Sequence, residues 1–212
     1  GGGESHCPRD ASYKDGTLQV DLMGMDGVIG VQETEEGWLA LVEPRVTMQT
    51  LVRATLPYGL MPPVVPEFRH ITVGGAIAGI AGESGSFRHG FFHDAIAGME
   101  VVLGDGNIVT ATADNEFSDL FFALPGSYGT LGIITAVTIR LVAAKPFVAM
   151  SYEHFDDVLE FALHLANGEK REDLDFLEGI GFSSSSLVAC EGRMVDTESA
   201  QSGIFGDVRR LN

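Results

Sequence analysis

The stretch ITVGGAIAGIAGESGSFRHG, residues 71–90, decides how this chain is read. It is apolar enough to suggest a membrane segment and glycine-rich enough to suggest a phosphate loop. The membrane reading fails on length. Glu83, Ser84, Arg88 and His89 follow at once on the apolar run from Ile71 to Gly82, which is short of the roughly 20 apolar residues a spanning helix needs. Gly75 and Gly79 form a GxxxG, which in so short a run signals close backbone packing. The common nucleotide fingerprints fail too: no GxGxxG is present, and no lysine followed by Ser or Thr closes the run. What remains is a series of glycines, Gly74, Gly75, Gly79, Gly82 and Gly85, that lets backbone amides approach a bound group. Thr72 and Ser84 supply hydroxyls on either side. Glycines serving only turns and packing are the competing reading, and the segment by itself leaves both open.

Composition narrows the choice. With 212 residues, 45% of them hydrophobic, the protein has enough apolar surface to bury a core, and its length allows one large domain or one domain plus part of a second. A formal charge of −17 argues against nucleic acid and against an anionic membrane surface as partners. Any phosphate must then be held by local dipoles. Cys7 and Cys190 stand far apart with no CxxC pair, so neither a disulfide framework nor a zinc site is indicated and no metal is expected. The abrupt Gly1-Gly2-Gly3 start, without a signal-peptide pattern, reads as the beginning of a fragment.

Outward from residues 71–90, the elements follow an α+β order. TLQVDL (Thr17–Leu22) alternates like a strand, and residues 27–46 read as two strands around Glu35-Glu36-Gly37. Thr47 is placed to cap a helix through about Leu56 with Met48, Leu51, Val52 and Leu56 on one face. Gly98–Gly106 and Asn107–Thr112 pair as a hairpin through Asp105-Gly106. A helix starts near Asn115 or Ser118 with Leu120, Phe121 and Phe122 inward, and a glycine-rich entry leads into an apolar strand within Gly126–Val142. Phe121, Phe122 and Trp38 are read as core. Lys145-Pro146 suggests a domain boundary, giving domains 1–145 and 146–212. Beyond it come a helix over His154–Ala166 and two strands, Asp175–Phe182 and Leu187–Val195, separated by Ser183–Ser186. The second unit ends without closing a sheet.

Taken together, VEPRVTM (Val42–Met48), residues 72–90, MEVVLGDGNIV (Met99–Val109), residues 115–141 and FLEG (Phe176–Gly179) resemble the FAD-binding domain of the vanillyl-alcohol oxidase and p-cresol methylhydroxylase (PCMH-type) family. Within it they are most similar to the Δ24-sterol reductase branch. The resemblance implies an FAD-binding domain, incomplete at its N-terminus, followed by the start of a substrate domain. It implies that Thr72, Val73, Gly74, Gly75, Gly79, Gly82, Glu83 and Ser84 form one wall of the FAD site. Gly1, Gly2, Gly3, Glu4 and Ser5 resemble the other phosphate loop, and Gly129, Thr130, Gly132 and Ile133 the last flavin-contacting turn and strand. Glu4 stands where several relatives carry a histidine bonded covalently to the flavin. A carboxylate cannot replace it, so noncovalent FAD is expected, and the nearby His6 reads as a loop histidine.

For catalysis the resemblance leaves Arg88, His89 and His93 as groups that would lie near the flavin ring, Tyr128 as an acid near it, and Glu178 as a substrate-domain residue. Each has a plain structural reading beside it: loop or interface groups for Arg88, His89 and His93, a packing aromatic for Tyr128 and a solvated strand face for Glu178. The implied reaction is NADPH-driven, FAD-mediated reduction of a double bond in a sterol side chain, set against oxidation of a hydroxy acid, sugar lactone or alcohol, and against a noncatalytic subunit of a larger assembly. Membrane association would come through segments outside this chain. The compartment follows the reaction: endoplasmic reticulum membrane for a sterol reductase, cytoplasm or mitochondrion otherwise. The tryptophan common after the proline of that branch is missing from PGSYGTLG (Pro125–Gly132), which weakens the branch match at one flavin-facing turn.

Overall fold

The computed structural model describes residues 15–16, 20–201 and 207–211. Val20–Leu22 lie in no strand, and the rest of the expected first strand falls outside the described residues. A hairpin comes first: β1 (Val28–Thr34) turns at Glu35–Glu36 into β2 (Gly37–Val42), in antiparallel register from Val28↔Val42 to Thr34↔Gly37. Helix α1 (Met48–Thr55) starts where the sequence caps it, the Thr47 Oγ1 accepting the Thr50 amide at 3.2 Å. Met48, Leu51 and Val52 are buried, but Thr55 rather than Leu56 completes that face. Thr55 tolerates burial because its hydroxyl reaches the Leu51 and Val52 carbonyls, each at 3.2 Å. Pro57 then sits in a single 3₁₀ turn, Leu56–Tyr58.

β3 (Leu60–Met61) is followed by two short helices, α2 (Val73–Ala78) and α3 (Ser86–His89). β4 (Ile96–Val102) and β5 (Ile108–Ala111) make the second hairpin, with Val101 opposite Val109 and Gly106 in the turn at φ +87°. Helix α4 (Ser118–Ala123) leads to β6 (Ile133–Arg140). β7 (Val142–Ala143) returns to pair with β3. The five long strands form one antiparallel sheet in the order β1-β2-β6-β4-β5. Central β6 buries Val137 and Ile139 completely against a core that includes Met48, Leu51, Ile77, Phe92 and Leu124.

On α4 the inward face differs from expectation: Phe121 is buried, Leu120 partly so, and Phe122 is 67% exposed. Consecutive residues on an α-helix lie about 100° apart, so two adjacent phenylalanines cannot both face the core. Leu124, one turn on from Phe121, takes the second place. Trp38 is half-buried beside Tyr58 at the core's edge, rather than within it.

After Lys145-Pro146 the backbone moves to a second sheet. It comprises β8 (Phe147–Phe155), helix α5 (Val158–Gly168), β9 (Phe176–Ser183), β10 (Ser186–Val195), helix α6 (Thr197–Gln201) and β11 (Asp207–Arg210). The strand order is β11-β8-β10-β9, antiparallel throughout. The helix expected from His154 starts later, because His154 and Phe155 pair with Val188 and Leu187 on β10. Asp157 marks the true start, its Oδ1 accepting the Leu159 and Glu160 amides at 2.8 and 2.9 Å. Apolar spacing at 155, 158 and 159 fits a helix, but cross-strand pairing claims Phe155. Ser183 and Ser186 stand opposite each other, so the serine run that separates the two strands is a tight hairpin turn. Register sets the two faces of this sheet. The row Tyr152–Cys190–Glu178 lies on one face, and the adjacent row Ser151–Glu191–Leu177 lies on the other, toward α5 and His164.

Candidate functional site

Residues 72–90 fold as the capped helix α2, an irregular loop and the short helix α3. Thr72 caps α2, its Oγ1 accepting the Gly75 amide at 3.2 Å. The Val73 amide goes to the Val46 carbonyl and the Gly74 amide to the Pro44 carbonyl, at 2.9 and 2.8 Å. These donors are therefore committed inside the fold, and Val73 is fully buried. A Cβ on Gly74 would stand 3.0 Å from the Pro44 Cβ, so this glycine permits packing. Gly75 and Gly79 face solvent, and the Gly79 amide closes the helix onto the Gly75 carbonyl at 2.9 Å. The GxxxG is thus a helix end and not a helix–helix seam. Beyond it, Gly82 is exposed and its amide, like that of Ser84, has no hydrogen-bond acceptor among the described residues. Glu83 turns its carboxylate to the Glu67 amide, at 2.7 Å.

The loop before β6 lies directly against this one. The Gly126 amide donates to the Ile77 carbonyl at 3.2 Å and the Tyr128 amide to the Ala78 carbonyl at 3.4 Å. Ile80 and Tyr128, one on each loop, hold left-handed backbones at φ +53° and +52°. Such conformations are costly for non-glycine residues and gather where a site over-determines them. Both side chains are exposed. Gly129 is exposed with an amide free of any acceptor among the described residues, and Thr130 folds its hydroxyl back onto the Ser127 carbonyl at 2.7 Å. Gly132 packs instead: a Cβ there would meet Val101 at 2.6 Å. Ile133 opens β6 opposite Val102. Gly1, Gly2, Gly3, Glu4, Ser5 and His6 lie outside the described residues.

The remaining candidates separate. Of the two readings of Arg88, the structure shows the interface one: its Nη2 donates to the Arg171 and Glu172 carbonyls at 3.1 and 2.9 Å. His89 is half-buried, and burial followed by the Arg88 charge lowers its pKa below the ordinary histidine value, against an opposing pull from Asp175. His93 stacks nearly parallel on Phe91 at 5.8 Å, and its buried Nδ1 has no partner among the described residues. A Cβ on Gly82 would press that same Phe91 ring at 3.1 Å.

A second surface completes the site. The Leu177 amide on β9 donates to the Ser84 carbonyl at 2.9 Å, joining the second sheet to the glycine loop. Next to this tether lies a groove of about 240 Å³ lined by Ser84, Val148, Met150, Phe176, Glu178, Cys190 and Arg209. On the other side of Glu178 a groove of about 260 Å³ runs past Phe87, Leu165 and Glu169. Alternation in β8 and β9 is the sequence signal for this lining, and helix-like spacing conceals only the end of β8, His154–Phe155. The positive φ at Ile80 and Tyr128 leaves no such signal.

A family model for an FAD binding domain matches residues 1–112. Over 204 residues the protein is 34% identical to a Delta(24)-sterol reductase of Pisum sativum, covering 91% of this chain and 36% of that protein. The chain belongs to the PCMH-type FAD-binding family of oxidoreductases. It is also 37% identical over 155 residues to a Delta(24)-sterol reductase of Homo sapiens, covering 73% of this chain and 30% of that protein. A Cytokinin dehydrogenase 7 of Oryza sativa subsp. japonica is 32% identical over 185 residues, covering 84% of this chain and 35% of that protein. The chain therefore spans about a third of the length of the curated relatives it matches. The family's cofactor suits the donors found here. Unengaged amides at Gly82, Ser84 and Gly129 on exposed, side-chain-poor loops offer neutral dipoles to an anionic, planar group. No cation has to be recruited by an acidic protein, and no group of His, Cys, Asp and Glu suited to a metal occurs among the described residues.

Proposed function

We propose that this chain supplies one FAD wall and the first part of the substrate domain of an enzyme that uses NADPH to reduce a carbon–carbon double bond in a sterol side chain. The observation carrying this reading is the extent of the similarity. The match to the pea Delta(24)-sterol reductase covers 91% of the sequence and so continues past the flavin wall into β8, β9 and β10. The apolar lining of the groove, Val148, Met150 and Phe176, suits a hydrocarbon substrate. We assign residues 1–145 to the flavin domain and 146–212 to the start of the substrate domain.

In this reading Gly82, Ser84 and Gly129 hold FAD without a covalent bond, while Thr72, Val73–Gly75 and Gly79 shape the helix beneath the loop and Thr130 closes its own turn onto Ser127. Bound FAD supplies two-electron hydride chemistry. The protein's residues position the ring, keep water from it with the second sheet, and orient the alkene. The rice cytokinin dehydrogenase match supports a second reading, oxidation of a small substrate by the same FAD domain. To choose between them, the full-length flavoprotein is reduced anaerobically with NADPH and mixed with desmosterol. The oxidised form is mixed separately with hydroxy acids, alcohols and cytokinins. Reoxidation by desmosterol is the expected result, and bleaching of the oxidised flavin by one of the small substrates overturns the reading.

A further inference from the structure

We propose that Glu178 is the acid that delivers the proton in this reduction, from a carboxyl group held beside the flavin wall by the second sheet. The inference rests on the proposed function and deepens it. Glu178 follows Leu177, whose amide is tied to the Ser84 carbonyl at 2.9 Å. Arg88 adds two more bonds between the glycine segment and the second unit, at 3.1 and 2.9 Å. The carboxyl is thereby fixed relative to the loop that carries the unengaged Gly82 and Ser84 amides. It lines both grooves, and no hydrogen bond or ion pair engages it among the described residues.

Its surroundings favour the protonated form. Across the sheet its neighbour is Cys190, a buried thiol whose pKa burial and Glu178 both raise. Glu83 and Glu67 face it from the flavin wall and Glu169 lines the groove on the α5 side. Tyr152 lies two strands away in the same row. Arg209 also lines the groove, but its guanidinium is bound to Asp207 at 2.9 and 3.3 Å. Burial, with the Glu83 and Glu67 charges adding to it, raises the Glu178 carboxyl above the ordinary glutamate range.

The step balances. The alkene π bond is consumed as one carbon gains a hydride, the electron pair coming from NADPH by way of reduced flavin. The other carbon gains the Glu178 proton as its O–H bond breaks. The carboxylate regains a proton from water, and NADPH is the species oxidised overall. A group acting this way loses function as pH rises through its raised pKa, because the donating form is present only below it.

The test uses the full-length flavoprotein, with and without Glu178→Gln, and a readout independent of turnover. Infrared difference spectra between wild type and Glu178→Gln are followed with pH. The expected result is a protonated-carboxyl C=O band that persists well above the ordinary glutamate pKa of about 4.3 and moves to lower pH in Glu83→Gln. In stopped-flow mixing of the NADPH-reduced protein with desmosterol, Glu178→Gln should slow reoxidation by about 10²-fold or more and remove the alkaline limb of its pH profile, while FAD remains bound. Titration of Glu178 in the ordinary range overturns the inference and leaves the proposed function standing. So does a Glu178→Gln protein that reoxidises at the wild-type rate. Wild-type protein that reduces no alkene, whatever its infrared titration, overturns the proposed function and the acid role with it.

Discussion

Gly126→Ala tests whether the two loops of the flavin wall are held as described. Gly126 has φ +74°, and an added Cβ would lie 2.7 Å from the Ile80 Cδ1. Two costs follow. The left-handed backbone costs a residue with a Cβ about 1–2 kcal/mol. Moving the Ile80 side chain off its rotamer adds about 0.5–1.5 kcal/mol, a modest amount because the contacted atom is the far end of a flexible group. The sum is about 1.5–3.5 kcal/mol. Gly106→Ala provides the control: φ there is +87°, with nothing within 4 Å of the added Cβ, so only the backbone cost remains. Urea unfolding of the 212-residue protein, followed by fluorescence of its single tryptophan, Trp38, gives both values. The difference between the variants isolates the Ile80 contact. FAD affinity of the full-length protein should fall in Gly126→Ala and stay unchanged in Gly106→Ala. Equal destabilisation by the two would refute the loop contact, and less than about 0.5 kcal/mol in both would refute the backbone argument itself.

The full-length protein should release its flavin on acid precipitation, since Glu4 cannot form the covalent bond of a flavinyl histidine; yellow colour fixed in the washed pellet is the contrary result. Arg88→Ala should remove about 1 kcal/mol of local stability, the low end for charge-assisted bonds at an exposed site. Amide exchange over residues 171–177 should speed up while β4–β6 stays protected, and uniform exchange would show that Arg88 ties nothing. Asp173 is held well below the ordinary carboxylate range, first by its hydrogen bonds to Arg171 and Arg193. Its stabilising contribution is therefore complete above the unfolded value of about 3.9 and is lost as pH falls through the lower folded value. The stability gap between wild type and Asp173→Asn should close only in that acid range, and a gap independent of pH would exclude the ion pairs as its source.

Much of the flavin domain was legible because its signals are local. Thr47 and Asp105-Gly106 act within four residues of themselves, and the helix and hairpin they mark occur at those positions. The second sheet was less legible. Phe155 and Val158 satisfy a helical period, yet Phe155 belongs to β8 because Leu187, distant in sequence, pairs with it. The same limit applies to residues 72–75. A glycine run announces close approach, but only the fold reveals that Pro44 and Val46 occupy that side and that the unengaged amides begin at Gly82. Arg88 stayed open between a flavin neighbour and an interface group for a related reason. Its sequence neighbours suggest the flavin, whereas its partners, the Arg171 and Glu172 carbonyls, come from a unit more than eighty residues on.

The second sheet treats two neighbouring carboxylates, Glu191 on β10 and Glu178 on the edge strand β9, in opposite ways, and the contrast bears on function. Glu191 is 8% exposed on the α5 face, and its charge is matched: Arg171 reaches it at 2.9 and 3.0 Å, Arg193 at 3.4 Å and His164 at 3.1 Å. Removing one partner from such a group leaves an uncompensated charge, so this cluster behaves as structure. Glu178 stands on the opposite face, one row away in the strand register. Its surroundings are a thiol, apolar side chains, three further carboxylates (Glu83, Glu67 and Glu169) and the Arg209 guanidinium, which Asp207 engages. A sheet that compensates one glutamate so fully has guanidinium groups available, yet none is directed at Glu178 among the described residues. An ionised carboxylate there works against folding, so Glu178→Gln should stabilise the protein at neutral pH, and the advantage should shrink as pH falls and the wild-type side chain takes up its proton. Asp173→Asn should show the reverse sign. If Glu178→Gln instead destabilises the protein at neutral pH, Glu178 has a compensating partner and is a structural residue like Glu191.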